Sequence, residues 1–356
     1  MVSRTSRGLA TISAITAVAL LAACGGETAT ATDPDGPVKL TFVAYGGVGQ
    51  EAMIEHYQKP YTAANPNVTF VNSSPPDVAQ VKAQVQSNSV LWDVVAVAPA
   101  AATQNCGTLF EKLDFSAVDK KDLVEGTIGE CYIGNFINAS PFAYRTEAFP
   151  DASKAPKTIA DFFDIQKFPG RRGILTNIQN GILEYPLLAD GVAPKDLYPL
   201  DVDRSLKKLD SIRDVTTFAP NVGALQQAVG SKQVDMFLLA DSRLVPLMDE
   251  GTDVTVVWDV TVASINAFAV PKGSANVQAA QRFLPTVVSP EAVAGISEAL
   301  GTAPVNLAAK SNLSQNAKKV EVYGPANTGE TVLQDVGWYA TNFNEVTTKL
   351  TNWLAG

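Results

Sequence analysis

The stretch Lys39–Ala52, KLTFVAYGGVGQEA, reads as an apolar strand, a cluster of glycines and the opening turn of a helix. Strand, glycine turn and helix in that order are the first unit of an α/β layer. Within it Gly47, Gly49 and Ala52 form G-x-G-x-x-A, a spacing shared with dinucleotide-binding loops. Such a loop wants an acidic residue at the end of the next strand to hold a ribose. That strand, NVTFVNSS, ends in Asn72, Ser73 and Ser74. The nucleotide reading therefore fails, and the physical content of the glycines remains. They let the chain turn tightly and let a ligand approach main-chain N–H groups of Gly46 and Gly47, with the ring and hydroxyl of Tyr45 beside them. A plain tight turn is the alternative.

Working outward, residues 1–23 carry Arg4 and Arg7 and then an apolar, small-residue run from Leu9 to Ala23, the composition of an export signal. The run is shorter than the ~20 apolar residues of a membrane span. It ends in Leu21-Ala22-Ala23-Cys24, which resembles the lipobox of bacterial lipoproteins, with Cys24 lipidated. Acyl chains would anchor the chain at about 0.8 kcal/mol per buried methylene without spanning the bilayer. Residues 24–37, with GGETATATDPDGP, have nothing to bury and read as a tether. The remaining cysteines, Cys106 and Cys131, are expected to be bonded outside the cytoplasm; two separate buried thiols are the alternative.

Formal net charge is −9 and no basic cluster interrupts the acidic balance, which argues against a nucleic-acid partner. The rest of the chain alternates strand-like and helix-like segments, as two α/β lobes with mostly parallel sheets require. WDVVAVA is a continuous apolar run, the mark of a strand covered on both faces. INASPFAYR and ASINAFAVPKG read as extended crossovers, and Thr158-x-x-Asp161 as a capping pattern. The tail WYATNFNEVTTKLTNWLA reads as an amphipathic helix.

Catalytic chemistry finds little support. His56 is the single histidine and sits inside a predicted helix, where a surface or packed role is expected. There is no G-x-S-x-G, no H-E-x-x-H and no cluster with metal-ligand spacing, so neither a metal nor a cofactor is expected. Asp201 and Asp203 lie at a helix start, where capping accounts for them.

Several stretches together are similar to one family. YGGVGQEAMIEHYQKPYTAANPNV, DFFDIQKFPGRRGIL, LLADGVAPKDLYPLDVDRSLKKLDSI, FAVPKGSANVQAAQRFL and GTAPVN resemble the solute-binding proteins of bacterial ABC importers, spermidine/putrescine type. The resemblance implies a type II periplasmic-binding-protein fold: two α/β lobes with mixed, mostly parallel sheets, joined by extended crossovers around a ligand cleft. It sets lobe 1 at 38–138 with 268–318 and lobe 2 at 139–267 with 319–356. Partners would be a small-molecule ligand, a membrane permease and the membrane itself through the lipid, with the protein a monomer on the outer face of the cytoplasmic membrane.

Departures from the polyamine pattern bear on the ligand. Where that family carries Trp-x-Asp before its Val-Pro, this chain has Ser264-Ile265-Asn266; where it often has Trp-Asn-Gly, this chain has Ala240-Asp241-Ser242; and after WDVVAVA come Pro99-Ala100-Ala101. The aromatic box is reduced, so the cleft is expected to take a smaller polar solute bearing an amine, or a zwitterion. The expected binding residues are Tyr45, Gly46, Gly47, Pro99, Glu184, Asp241, Arg243 and Asn266. For Asp241 the alternative is a helix cap, for Glu184 a solvated helix face. Other functions are an exported enzyme on the same fold, a binder of organic acids or sugars, and a structural lipoprotein.

Overall fold

The computed structural model describes residues 36–356; the expected signal segment, Cys24 and most of the tether lie outside them. Residues Pro37–Gly356 form one compact unit by contact. It contains two sheets. The first holds β1 (Val38–Val43), β2 (Val68–Ser73), β3 (Val94–Val97), β4 (Ile133–Ala139), β10 (Val260–Ala269) and β11 (Glu330–Leu333), in the order β11-β10-β3-β1-β2 with β4 on β10. The second holds β5 (Phe142–Arg145), β6 (Arg172–Leu175), β7 (Thr216–Ala219), β8 (Met236–Leu238) and β9 (Val254–Val257), in the order β7-β6-β8-β5-β9.

Pairing in both sheets is mixed. β1 runs parallel to β2 and β3, and β10 runs parallel to β11 but antiparallel to β3 and β4. β6 is parallel to β7 and β8, while β5 is antiparallel to β8 and β9. The chain passes between sheets twice, from β4 to β5 and from β9 to β10, which is the architecture of a two-lobe type II binding protein. The first passage falls within INASPFAYR, as expected of a crossover. The second falls at Trp258-Asp259, ahead of ASINAFAVPKG; that stretch, expected from sequence to be the return crossover, instead forms most of β10, paired to β3 and β4, and the turn after it.

Local chemistry explains most boundaries. β3 is buried at every position, as its unbroken apolar run requires. Thr158 and Asp161 form the expected capping box, and the Asp201 side chain caps the helix Val202–Asp210 by accepting from Arg204 N. β1 packs Leu40 and Phe42 into one core with Phe268 and Phe283; Phe42 lies 4.9 Å from Phe268, ring centre to ring centre. The second sheet has its own cores around Phe142, Phe162 and Tyr185 and around Leu225, Phe237 and Leu244.

Two segments escape a local reading. Arg172 is completely buried and bonded to main-chain carbonyls rather than to a carboxylate: Nε donates to Phe162 O at 3.0 Å and a terminal nitrogen to Phe168 O at 2.6 Å, so the guanidinium staples the loop that precedes its own strand. Desolvation pushes its pKa down to about 10. The chain end divides its attachments. β11 joins the first sheet through β10, while the final helix, Val336–Ala355, lies on the helix Pro99–Gln104 and ties to the second body through Lys349 to Asp203 and Trp353 Nε1 to Asp210. The Cys106–Cys131 disulfide is formed, as expected, with Cα atoms 5.5 Å apart.

Candidate functional site

Three strands of the first sheet end at one place. β1 delivers Tyr45 and the glycines, β3 delivers Ala98 and Pro99, and β10, running the other way, brings Ser264 and Asn266 past the end of β3. Gly46 takes φ 74° and ψ −178°, a conformation open to glycine alone, and a Cβ there would meet Ser74 Oγ at 3.1 Å. Gly47, at φ 55°, opens the helix Gly47–Met53, which no side chain caps. The helix Pro99–Gln104 also starts without a side-chain cap. Both uncapped starts leave main-chain N–H groups, favourable to negative charge, facing out of the sheet's carboxyl edge.

Asn266 is the link. Its Nδ2 donates to the Tyr45 hydroxyl at 3.2 Å, while its Oδ1 is buried with no partner in the structure. A bulge in the β4–β10 ladder falls between Asn266 and Ala267 and aims this residue. The Tyr45 ring itself is 52% exposed. An exposed aromatic face beside an unused amide oxygen suits a donor group or a cation.

Next to this pair lies a pocket of about 30 Å³, room for roughly two waters. Its walls are Pro99 and Ser264 from the first sheet, Ile178 and Gln179 beyond β6, and Gln334 and Tyr339 from the chain end. Behind the last two is Glu184, the first residue of the helix Glu184–Ala189 and fully buried. Its Oε1 accepts from Tyr339 Oη at 2.7 Å, Tyr198 Oη at 2.8 Å and Gln334 Nε2 at 2.7 Å, and its Oε2 has no partner. Burial pushes the Glu184 carboxyl up against the pull of these donors. Burial and then the carboxyl push both tyrosines up in turn.

Asp241 and Arg243, also expected from sequence, are not in the walls of this pocket. Asp241 opens the helix Asp241–Asp249 and is fully buried; its Oδ2 accepts from Ala139 N at 3.0 Å and its Oδ1 from Ser242 N at 2.7 Å. Burial pushes its carboxyl up to about 8. Arg243, two residues on, is exposed. Tyr185, which the sequence did not single out, bridges the β4–β5 passage and the start of β10: its hydroxyl donates to Ser140 O and accepts from Val262 N at 2.8 Å. Gln334 and Tyr339 were missed as well, since only the β10–β11 pairing brings position 334 to the cleft. Among the described residues no group of three or more His, Cys, Asp or Glu side chains could hold a metal.

This arrangement, with cleft groups on the carboxyl edge of one sheet and on a second body, agrees with sequence comparison: residues 52–322 match the model of the bacterial extracellular solute-binding protein family. The chain belongs to that family. A γ-aminobutyric acid-binding protein of Pseudomonas aeruginosa is 27% identical over 323 residues, covering 89% of this chain and 91% of that one. Among solved structures, the Atu4243 γ-aminobutyric acid receptor is 30% identical with a TM-score of 0.80, covering 89% of this chain and 97% of the other. The binding protein AgtB of A. tumefaciens R10, solved with agropinic acid, is 27% identical with a TM-score of 0.74, covering 89% and 99%. Members of this family are solute-binding components that act outside the cytoplasm. No helix among the described residues of this solute-binding protein is long and apolar enough to cross a membrane.

Proposed function

We propose that this protein is the substrate-binding lipoprotein of an ABC importer and that its solute is a small zwitterion of the γ-aminobutyrate kind. The observation that carries the reading is Asn266: a buried amide, tied to an exposed tyrosine, whose oxygen has no partner, two residues along β10 from the pocket wall at Ser264. An ammonium group fits there, over the Tyr45 ring and against Asn266 Oδ1. The carboxylate of the same solute would meet main-chain N–H groups of the uncapped starts at Gly46–Gly47 and, since Pro99 has none, at Ala100–Ala101. Relatives named for γ-aminobutyrate support an amine with an acid on one small frame. A long polyamine is disfavoured by the missing aromatic box at Ser264-Ile265-Asn266 and Pro99-Ala100-Ala101.

The protein captures solute and presents it to a permease; it carries out no chemistry and needs no cofactor. It works as a monomer, held to the outer face of the cytoplasmic membrane by lipid on Cys24. A pocket of about 30 Å³ is too small for such a solute, so the lobes part to admit it and close over it. Isothermal calorimetry with γ-aminobutyrate, putrescine, an opine, glutarate and glucose tests the reading. Binding of the zwitterions is expected; binding of glucose or glutarate alone overturns it.

A further inference from the structure

We infer that Gln334 is a specificity-determining residue of the cleft and that Glu184 is the positioning residue behind it, an inference that rests on the solute-binding reading above. The Gln334 main chain is fixed by donation to Ala263 O at 2.9 Å, one residue from Ser264. Its side-chain amide then gives both hydrogens inward, to Ile178 O and to Glu184 Oε1, each at 2.7 Å. Both of those groups are acceptors. Rotating the amide by half a turn would set oxygen against two oxygens and leave both N–H groups unmatched, so one orientation is enforced. Gln334 lines the pocket, and the atom its amide leaves over is the carbonyl oxygen Oε1, to which no group among the described residues donates.

A pocket wall that can only accept selects for a donor on the solute and rejects a second carboxylate. Glu184 enforces this through one oxygen. With Tyr198 and Tyr339 also donating to Oε1, the carboxyl group cannot turn without breaking three hydrogen bonds. Glu184 itself is fully buried and touches no solute. Its place at the start of the helix Glu184–Ala189, between Tyr198 and the chain end, makes it a fixed backstop rather than a ligand.

The test compares γ-aminobutyrate with glutarate, which replaces the ammonium by a carboxylate, in wild type, Gln334→Leu, Glu184→Leu and Glu184→Gln. Wild type is expected to prefer γ-aminobutyrate. Gln334→Leu should cut that preference about tenfold or more, the loss of one hydrogen bond to a charged group. Glu184→Leu frees the amide and should cut it similarly, while Glu184→Gln keeps an accepting oxygen and should restore it. In the ligand-free proteins, the side-chain amide pair missing from the 15N spectrum of Gln334→Leu should be protected from exchange in wild type and Glu184→Gln, and exposed in Glu184→Leu. An unchanged preference in Gln334→Leu, with wild type binding normally, overturns the acceptor role. An unprotected amide pair in wild type overturns the clamp. If wild type binds neither probe, the functional reading falls and takes the acceptor role with it, while the spectrum still decides the clamp. Should Glu184→Leu not fold, Gln334→Leu and the wild-type spectrum carry the decision.

Discussion

Two neighbouring glycines make unequal demands on the chain. Gly46 combines positive φ with extended ψ and sits against Ser74 Oγ, whereas Gly47 has positive φ but open space where a Cβ would go. Gly46→Ala is therefore expected to cost about 1–3 kcal/mol of stability and to weaken ligand binding, and Gly47→Ala less on both counts. Urea unfolding and calorimetry on the pair check this; equal losses would mean the turn is not held at Gly46. A third glycine explains the lone histidine. Gly295 lies in the helix Pro290–Leu300, where a Cβ would come within 2.1 Å of His56 Nδ1. His56 is thus a packing residue laid over a bare helix face, as the sequence suggested. Gly295→Ala should destabilise by about 1–3 kcal/mol through overpacking despite the better helix propensity of alanine. A stabilised variant would show that His56 is free to move.

At the scale of elements, the first strand, its glycine turn, the continuous apolar β3 and the capping box were legible because each is written in contiguous residues. Tyr45 and Asn266, read from separate stretches, do meet. What the sequence hid is non-local. β11 and the wall residues Gln334 and Tyr339 acquire meaning only when β10 pairs with β11, and Glu184, legible as a cleft residue or a solvated helix face, meets three donors from distant segments. Asp241 is the element-scale case with a measurable consequence. It binds the helix Asp241–Asp249 to the last residue of β4 through Ala139 N, and burial raises its pKa to about 8. An unfolded aspartate titrates near 4, so between roughly pH 4 and pH 8 the folded chain holds a proton that the unfolded chain has released. Stability therefore falls as pH rises through that window, and the loss is complete above it. Asp241→Asn removes the titration. Its melting temperature relative to wild type should improve steadily from about pH 5 to about pH 9. A pH-independent difference would show that the carboxyl ionises normally. The disulfide makes a simpler contribution: Cys106→Ser with Cys131→Ser should lower stability by about 3 kcal/mol and leave solute affinity within a few-fold.

For the whole molecule, alternation of strands and helices and two extended passages were enough to expect two lobes, since local periodicity repeats across the chain. How the lobes are coupled was not legible, because the ties, a shared hydroxyl and the chain end among them, join segments far apart in sequence. Tyr185 bonds Ser140, between β4 and β5, and Val262, near the start of β10, so it ties the chain beside both passages to the helix Glu184–Ala189. Tyr185→Phe leaves a buried carbonyl and a buried N–H without that partner, a loss of about 1–3 kcal/mol if nothing relaxes. The variant shifts the balance between open and closed forms without touching a cleft contact. Affinity for every solute should then change by one common factor, because the competent fraction multiplies each dissociation constant alike. Gln334→Leu, by contrast, should change γ-aminobutyrate and glutarate unequally. Calorimetry on both solutes separates the two effects, and small-angle scattering supplies the geometric half: the radius of gyration should be smaller with saturating γ-aminobutyrate than without it. Solute-dependent factors in Tyr185→Phe would place this hydroxyl in the recognition surface, and scattering curves that do not change on confirmed binding would remove closure from the mechanism.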